Sequence, residues 1–183
     1  MSHPRAPRFG AHGRLLVVAL LLVSPALASA EQSIILLRHA ERQRGEGDDS
    51  LSEAGRQRAE RLAVVLRDAG ITHIFVSDLR RTLETAQPLA KAHNLSPSRI
   101  AIPAQGRGKI EPAELQVRAT LLAISKLPSN AVVLVVGHSN TVPMFLARLG
   151  YGPRITIADN EFDNVFVVTP RATRAPAVVR MRF

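Results

Sequence analysis

The chain has 183 residues, 46% of them hydrophobic and 4% aromatic, with no cysteine and a formal net charge of +9. That length makes one ordinary domain with a real core, and the lack of cysteine excludes a disulfide framework. The basic residues are scattered and aromatics for base stacking are few, so no nucleic acid partner is expected; attraction for phosphate or other anions is.

The first thirty residues read as a secretory signal. Arg5, Arg8 and Arg14 form a positive start without an acidic residue, Leu15 to Val23 is an apolar run, and Ala28-Ser29-Ala30 is a small-x-small cleavage site. The run is short of the roughly 20 residues that span a bilayer, so cleavage after Ala30 and no stable membrane insertion are expected. The protein is then secreted or periplasmic, with a leader over 1–30 and one domain over 31–183. Losing three arginines lowers its net charge from +9 to +6.

Ile34-Ile35-Leu36-Leu37 is an unbroken apolar run that enters Arg38-His39-Ala40-Glu41. Such a run, without polar alternation, suits a strand covered on both faces. Arg42 to Ser50, with Gly45, Gly47, Asp48 and Asp49, reads as a loop. Ser52 and Glu53 open a helix carrying Ala59, Leu62, Ala63, Leu66 and Ala69 at helical spacing, closed by Gly70. Ile71 to Val76 is a second strand. Ser77-Asp78 offers an N-cap for a helix from Leu79 to His93, in which Pro88 marks an expected kink or break.

A third strand is expected at Ile100 to Pro103, then a basic loop from Ala104 to Lys109. Glu111 to Lys126 reads as a helix with Pro112 in its first turn. Ala131 to Val136 is the strongest strand signal, wholly apolar and β-branched, and is placed centrally. Gly137-His138-Ser139-Asn140 leads into a helix to about Leu149. Asn164 to Thr169 and Ala177 to Met181 are late strands. The order predicts an α/β fold, a single doubly wound and mostly parallel sheet with helices on both faces.

Arg38-His39 and His138-Ser139 each stand just beyond an apolar strand, and parallel crossovers bring such positions to one sheet edge. Ser77 through Ala86, with Arg80 and Arg81, follows a strand in the same way. Arginine forks bind phosphate bidentately, helix N-termini add backbone donors, and a neutral imidazole attacks phosphorus to give a phosphohistidine. His73, at a strand start, and His93, at a helix end, have no motif around them and receive no catalytic role.

These residues resemble the histidine phosphatase superfamily, with its phosphoglycerate mutase-like fold. Arg38-His39-Ala40 is similar to its Arg-His-Gly signature, with Ala for Gly. Asp48 to Ala59 resembles the family's Leu-Thr-x-x-Gly-x-x-Gln-Ala helix entry, with Ser52 for Thr. Ser77 to Ala86 resembles its Ser-Pro-Leu-x-Arg-Ala-x-Gln-Thr-Ala segment, with Arg81 at the arginine position, and Gly137-His138-Ser139 its second-histidine motif. The resemblance runs in order from Ile34 to Gly150. It implies His39 as nucleophile, Arg38, Arg81, His138 and Ser139 as phosphate ligands, no metal or other cofactor, and a phosphorylated small molecule or phosphoprotein as substrate. Many relatives carry a glutamate acid after the third strand, where this chain reads Ala104-Gln105-Gly106-Arg107-Gly108. Glu41 and Glu161 are the candidate acids, each also readable as a solvated surface carboxylate. The short helical insert resembles the small phosphatase branch, and an open site favours hydrolysis over mutase chemistry.

Three rivals are weighed against this. A serine hydrolase would want Gly where Thr141 stands and a histidine after Ser139, and the chain has none there. A metal-dependent hydrolase would want a close histidine pair such as H-E-x-x-H. A non-catalytic phosphate- or phosphoprotein-binding domain would share Arg38 and Arg81 but has no use for His39 and His138.

Overall fold

The computed structural model describes residues 31–43 and 49–183. The leader, its cleavage site and the Arg44 to Asp48 part of the loop lie outside them. The apolar runs form a six-stranded sheet: β1 (Ser33–Arg38), β2 (His73–Val76), β3 (Ser98–Arg99), β4 (Val132–Gly137), β5 (Asn164–Thr169) and β6 (Ala177–Arg182). Between them run α1 (Glu53–Val65), α2 (Arg80–Ala92), α3 (Pro112–Ile124) and α4 (Thr141–Arg148). Strand order is β3-β2-β4-β1-β5-β6. The first four are mutually parallel, while β5 pairs antiparallel with both β1 and β6.

Alternate residues of each central strand face opposite layers. Ile34, Leu36, Val133, Val135 and Phe166 pack on Val117 and Ile124 of α3 and on Val142, Phe145 and Leu146 of α4. Ile35, Leu37, Leu134, Val136 and Val165 pack on Leu62 of α1 and on Ala86, Leu89 and Ala90 of α2. Helices therefore cover both faces, which is why β1 and β4 are apolar along their whole length.

Several boundaries differ from the sequence reading. Helix α1 stops at Val65, not Gly70: the exposed β-branched pair Val64-Val65 ends it, and Arg67 and Ala69 bond three residues back, to Val64 and Leu66. Pro88 sits inside α2 without breaking it. The third strand falls on Ser98-Arg99, not Ile100 to Pro103, because β2 ends at Val76 and offers no longer ladder. Beyond it the Ile100 amide still donates to the Val76 carbonyl (2.9 Å), and the Ile102 amide donates to Asp78 Oδ1 (3.2 Å).

Candidate active site

Register places the chemistry. Arg38 lies opposite Gly137 in the β1–β4 ladder, and Val76 lies opposite Val136 in the β2–β4 ladder. His39, Ser77 and His138 thus leave three adjacent parallel strands at the same edge. The His39 amide donates to the Gly137 carbonyl (2.9 Å), and the two imidazoles meet edge to face with centroids 5.3 Å apart. Both rings are buried. Gly137 has no room for a side chain, since a β-carbon would come 2.6 Å from Thr141 Oγ1. That hydroxyl oxygen accepts the His138 amide (2.8 Å) and so fixes the turn into α4.

Nδ1 of His39 lies 2.7 Å from the Ala40 carbonyl oxygen. A carbonyl only accepts, so Nδ1 carries the proton and Nε2 keeps its lone pair. Burial pushes the His39 pKa down to about 3; the bond to Ala40 opposes this, and His138, Arg81 and Arg38 reinforce it. Burial, with Arg81 and Arg38, likewise lowers His138 to about 4, against a smaller opposing effect of Asp78. Both rings are neutral near pH 7. Nε2 of His138 meets Ser77 Oγ (3.1 Å), which also meets Thr82 Oγ1 (2.9 Å). Ser77-Asp78 was expected to cap α2; Leu79 holds that position instead, and Ser77 Oγ accepts the Leu79 amide (3.3 Å) while it meets the histidine.

Arg38 is fixed by a turn far along the chain. One terminal nitrogen, Nη1, donates to the carbonyls of Ala158 (2.7 Å), Asp159 (3.1 Å) and Glu161 (3.1 Å), and the guanidinium lies 4.1 Å from the centre of the Phe162 ring. Arg81 stands in the first turn of α2 and lines a cleft of about 510 Å³ together with His39, His138 and Ser139. Thr85, one turn on, ties the two halves: its hydroxyl donates to the Arg81 carbonyl (2.7 Å) and accepts the Ala40 amide (2.9 Å). A slightly larger depression, about 580 Å³, lies between α1 and α2 and contains neither histidine. Volume alone does not locate the chemistry here.

The two candidate acids are engaged elsewhere. Glu41 takes a fork from Arg58 (2.7–3.0 Å); burial alone would raise its carboxyl, but the fork outweighs it and holds the pKa below the usual range. Glu161 accepts the Ala158 amide (2.9 Å) and pairs with Arg182 (2.9 Å), and both interactions lower its pKa. Its backbone carbonyl, not its carboxylate, serves the site through Arg38. The sequence reading missed Phe162, which stacks on Arg38, and Glu111, which lines the cleft. The only local signal for Glu111 is its place before Pro112, where a polar residue is ordinarily a helix cap. Among the described residues no group of three or more His, Asp or Glu could hold a metal ion.

With this geometry in view, the comparisons with known proteins fall into place. Residues 34–103, from β1 through β3, match a family sequence model. The match is to the histidine phosphatase superfamily, branch 1. It takes in His39 and Arg81, while His138 lies beyond it. A "probable phosphoglycerate mutase GpmB" of Erwinia tasmaniensis is 41% identical over 66 residues, and its counterpart in Proteus mirabilis 39% identical over 66. These matches cover 32% of this chain, which spans about a third (31%) of the length of those relatives. Among solved structures, a mycobacterial glucosyl-3-phosphoglycerate phosphatase superposes with a TM-score of 0.60 at 16% identity, over 82% of this chain and 97% of its own. A phosphoserine phosphatase of Entamoeba histolytica gives 0.58 at 18% identity, over 83% and 97%. The fold is that of the phosphoglycerate mutase-like proteins.

Proposed function

We propose that this chain hydrolyses phosphomonoesters through a phosphohistidine on His39. The observation that carries the reading is the tautomer. A neutral ring, held by Nδ1–H on Ala40, presents an unshared pair on Nε2 in a cleft shared with Arg81 and His138. In the proposed reaction Nε2 attacks phosphorus, the ester P–O bond breaks, and the leaving oxygen takes a proton. Water then opens the P–N bond, releasing orthophosphate and restoring the imidazole. Arg38, Arg81 and His138 neutralise the charge on the transferred group, with Ser139 and the α4 N-terminus adding donors. Glu41 and Glu161 suit anchoring better than proton donation, because their ion pairs favour the carboxylate. The open cleft supports hydrolysis over mutase chemistry, since water reaches the intermediate. The leader read from the sequence would carry this activity out of the cytoplasm.

Hydrolysis of para-nitrophenyl phosphate by residues 31–183 in excess EDTA, beside His39→Ala, tests the reading. Activity is expected to survive EDTA and to fall at least ~10³-fold in the variant, because the covalent route is lost. Turnover that is indifferent to His39→Ala would overturn it. The acid limb of kcat/KM for the free enzyme is expected below pH 5, since His39 keeps its lone pair down to about pH 3. A limb near 6.5 would contradict a buried neutral nucleophile.

A further inference from the structure

The part of the cleft lining beyond Arg81 and the two histidines has an unusual make-up for a phosphate ester site. Leu79, Ile102, Pro112, Ala113 and Met144 make it apolar, and among the described residues Glu111 and Arg81 are the charged side chains that line the cleft. Among the described residues, no lysine or further arginine is part of the cleft lining. The basic residues of the nearby loop, Arg107 and Lys109, are exposed and stand off its lining.

Glu111 is also held in place while its carboxylate stays uncommitted. Arg107 and Ile110 bond reciprocally (3.0 and 3.1 Å), closing a turn immediately before it. Gly106 permits that closure, because a β-carbon there would overlap the Ile110 carbonyl oxygen. Pro112 opens α3, so Glu111 is its N-cap, with extended backbone (φ −66°, ψ 151°), yet its side chain caps nothing. Its carboxylate makes no hydrogen bond or ion pair with the described residues, whereas those of Glu41, Glu84 and Glu161 are all paired.

We infer that this wall selects the leaving group: a phosphomonoester whose alcohol presents an apolar face and is uncharged or cationic where it meets Glu111, and not one bearing a carboxylate or a second phosphate. The inference rests on the phosphate being held by Arg81 and the two histidines, as in the function proposed above. An apolar leaving group gains by covering Leu79, Ile102 and Met144. A carboxylate in the same place loses water to those side chains and meets a like charge. Because Glu111 is exposed, the charge effect is modest, about fivefold.

The test is binding to the His39→Ala protein, which is titrated with phenyl phosphate, phosphocholine and 3-phosphoglycerate by calorimetry. The first two are expected to bind about fivefold or more tighter than the third. Glu111→Gln should narrow that gap and Glu111→Lys should reverse it for phosphocholine against 3-phosphoglycerate, with phenyl phosphate little changed. Equal affinities, tightest binding of 3-phosphoglycerate, or an order unmoved by Glu111→Lys would overturn the inference. A Glu111→Gln loss of turnover that grows with leaving-group pKa and ignores leaving-group charge would overturn it too, assigning Glu111 to proton transfer. An intact protein that turns over none of the three while the binding order holds would sink the hydrolase reading and leave the selectivity standing.

Discussion

At Gly55 a β-carbon would overlap the backbone carbonyl oxygen of Glu41. That oxygen already accepts from the amide and hydroxyl of Ser52 (2.9 and 3.2 Å), while Ser52 Oγ caps α1 by accepting the Gly55 amide (3.1 Å). The first turn of α1 thus lies directly on the chain two residues past the nucleophile, a closeness open only to glycine. Gly55→Ala is expected to cost about 2–3 kcal/mol, read as a lower denaturation midpoint at unchanged slope, because backbone meets backbone and neither side can rotate away. The same logic governs His39. Its neutrality comes from burial among cations, so it is a property of neighbours that no single letter of the sequence carries.

At the scale of elements, the strands end where the chemistry starts and the helices hold those ends. Thr85 on α2 is the clearest joint, since one buried hydroxyl bonds both the Ala40 amide and the Arg81 carbonyl. Thr85→Val keeps the shape and leaves the Ala40 N–H unpaired in the interior, an expected loss of about 1–3 kcal/mol. Activity should fall with it, because Ala40 also supplies the carbonyl that sets the His39 tautomer. Thr85→Ser should recover most of both, which would separate the lost hydrogen bond from lost packing. An unchanged stability in Thr85→Val would show that water replaces the hydroxyl. The strand ends and helix starts at Arg38, Ser52 and Gly137 were legible because periodicity and capping are local. The end of α1 and the place of β3 were not. The first turns on where packing stops supporting Val64-Val65, the second on where a partner strand runs out.

For the whole molecule, two histidines kept neutral at one sheet edge make stability depend on pH. An unfolded chain would protonate them below about 6.5, whereas the folded protein does so near 3 and 4. The unfolded state then binds more protons across that window, so stability is full above about pH 6.5 and falls as pH drops toward 4 and then 3. Replacing both by Asn should flatten this acid limb in urea titrations between pH 4 and 7 and leave the neutral region little changed. An identical slope in wild type and double variant would show that these rings are already solvated.

What the sequence determined by itself was whatever neighbouring residues settle. The apolar runs of β1 and β4 foretold a sheet covered on both faces, and the Arg-His, Gly-His-Ser and Ser77 to Ala86 segments marked the strand ends that converge on the cleft. Only the tertiary structure decided the rest, because it depends on which distant segments meet. Arg38 takes its carbonyl cage and Phe162 from a turn some 120 residues later, Glu41 and Glu161 are drawn into ion pairs by Arg58 and Arg182, and Glu111 reaches the cleft through a turn whose closure hangs on Gly106. A contact's energy is set by distance and burial in space, and sequence separation does not carry that information.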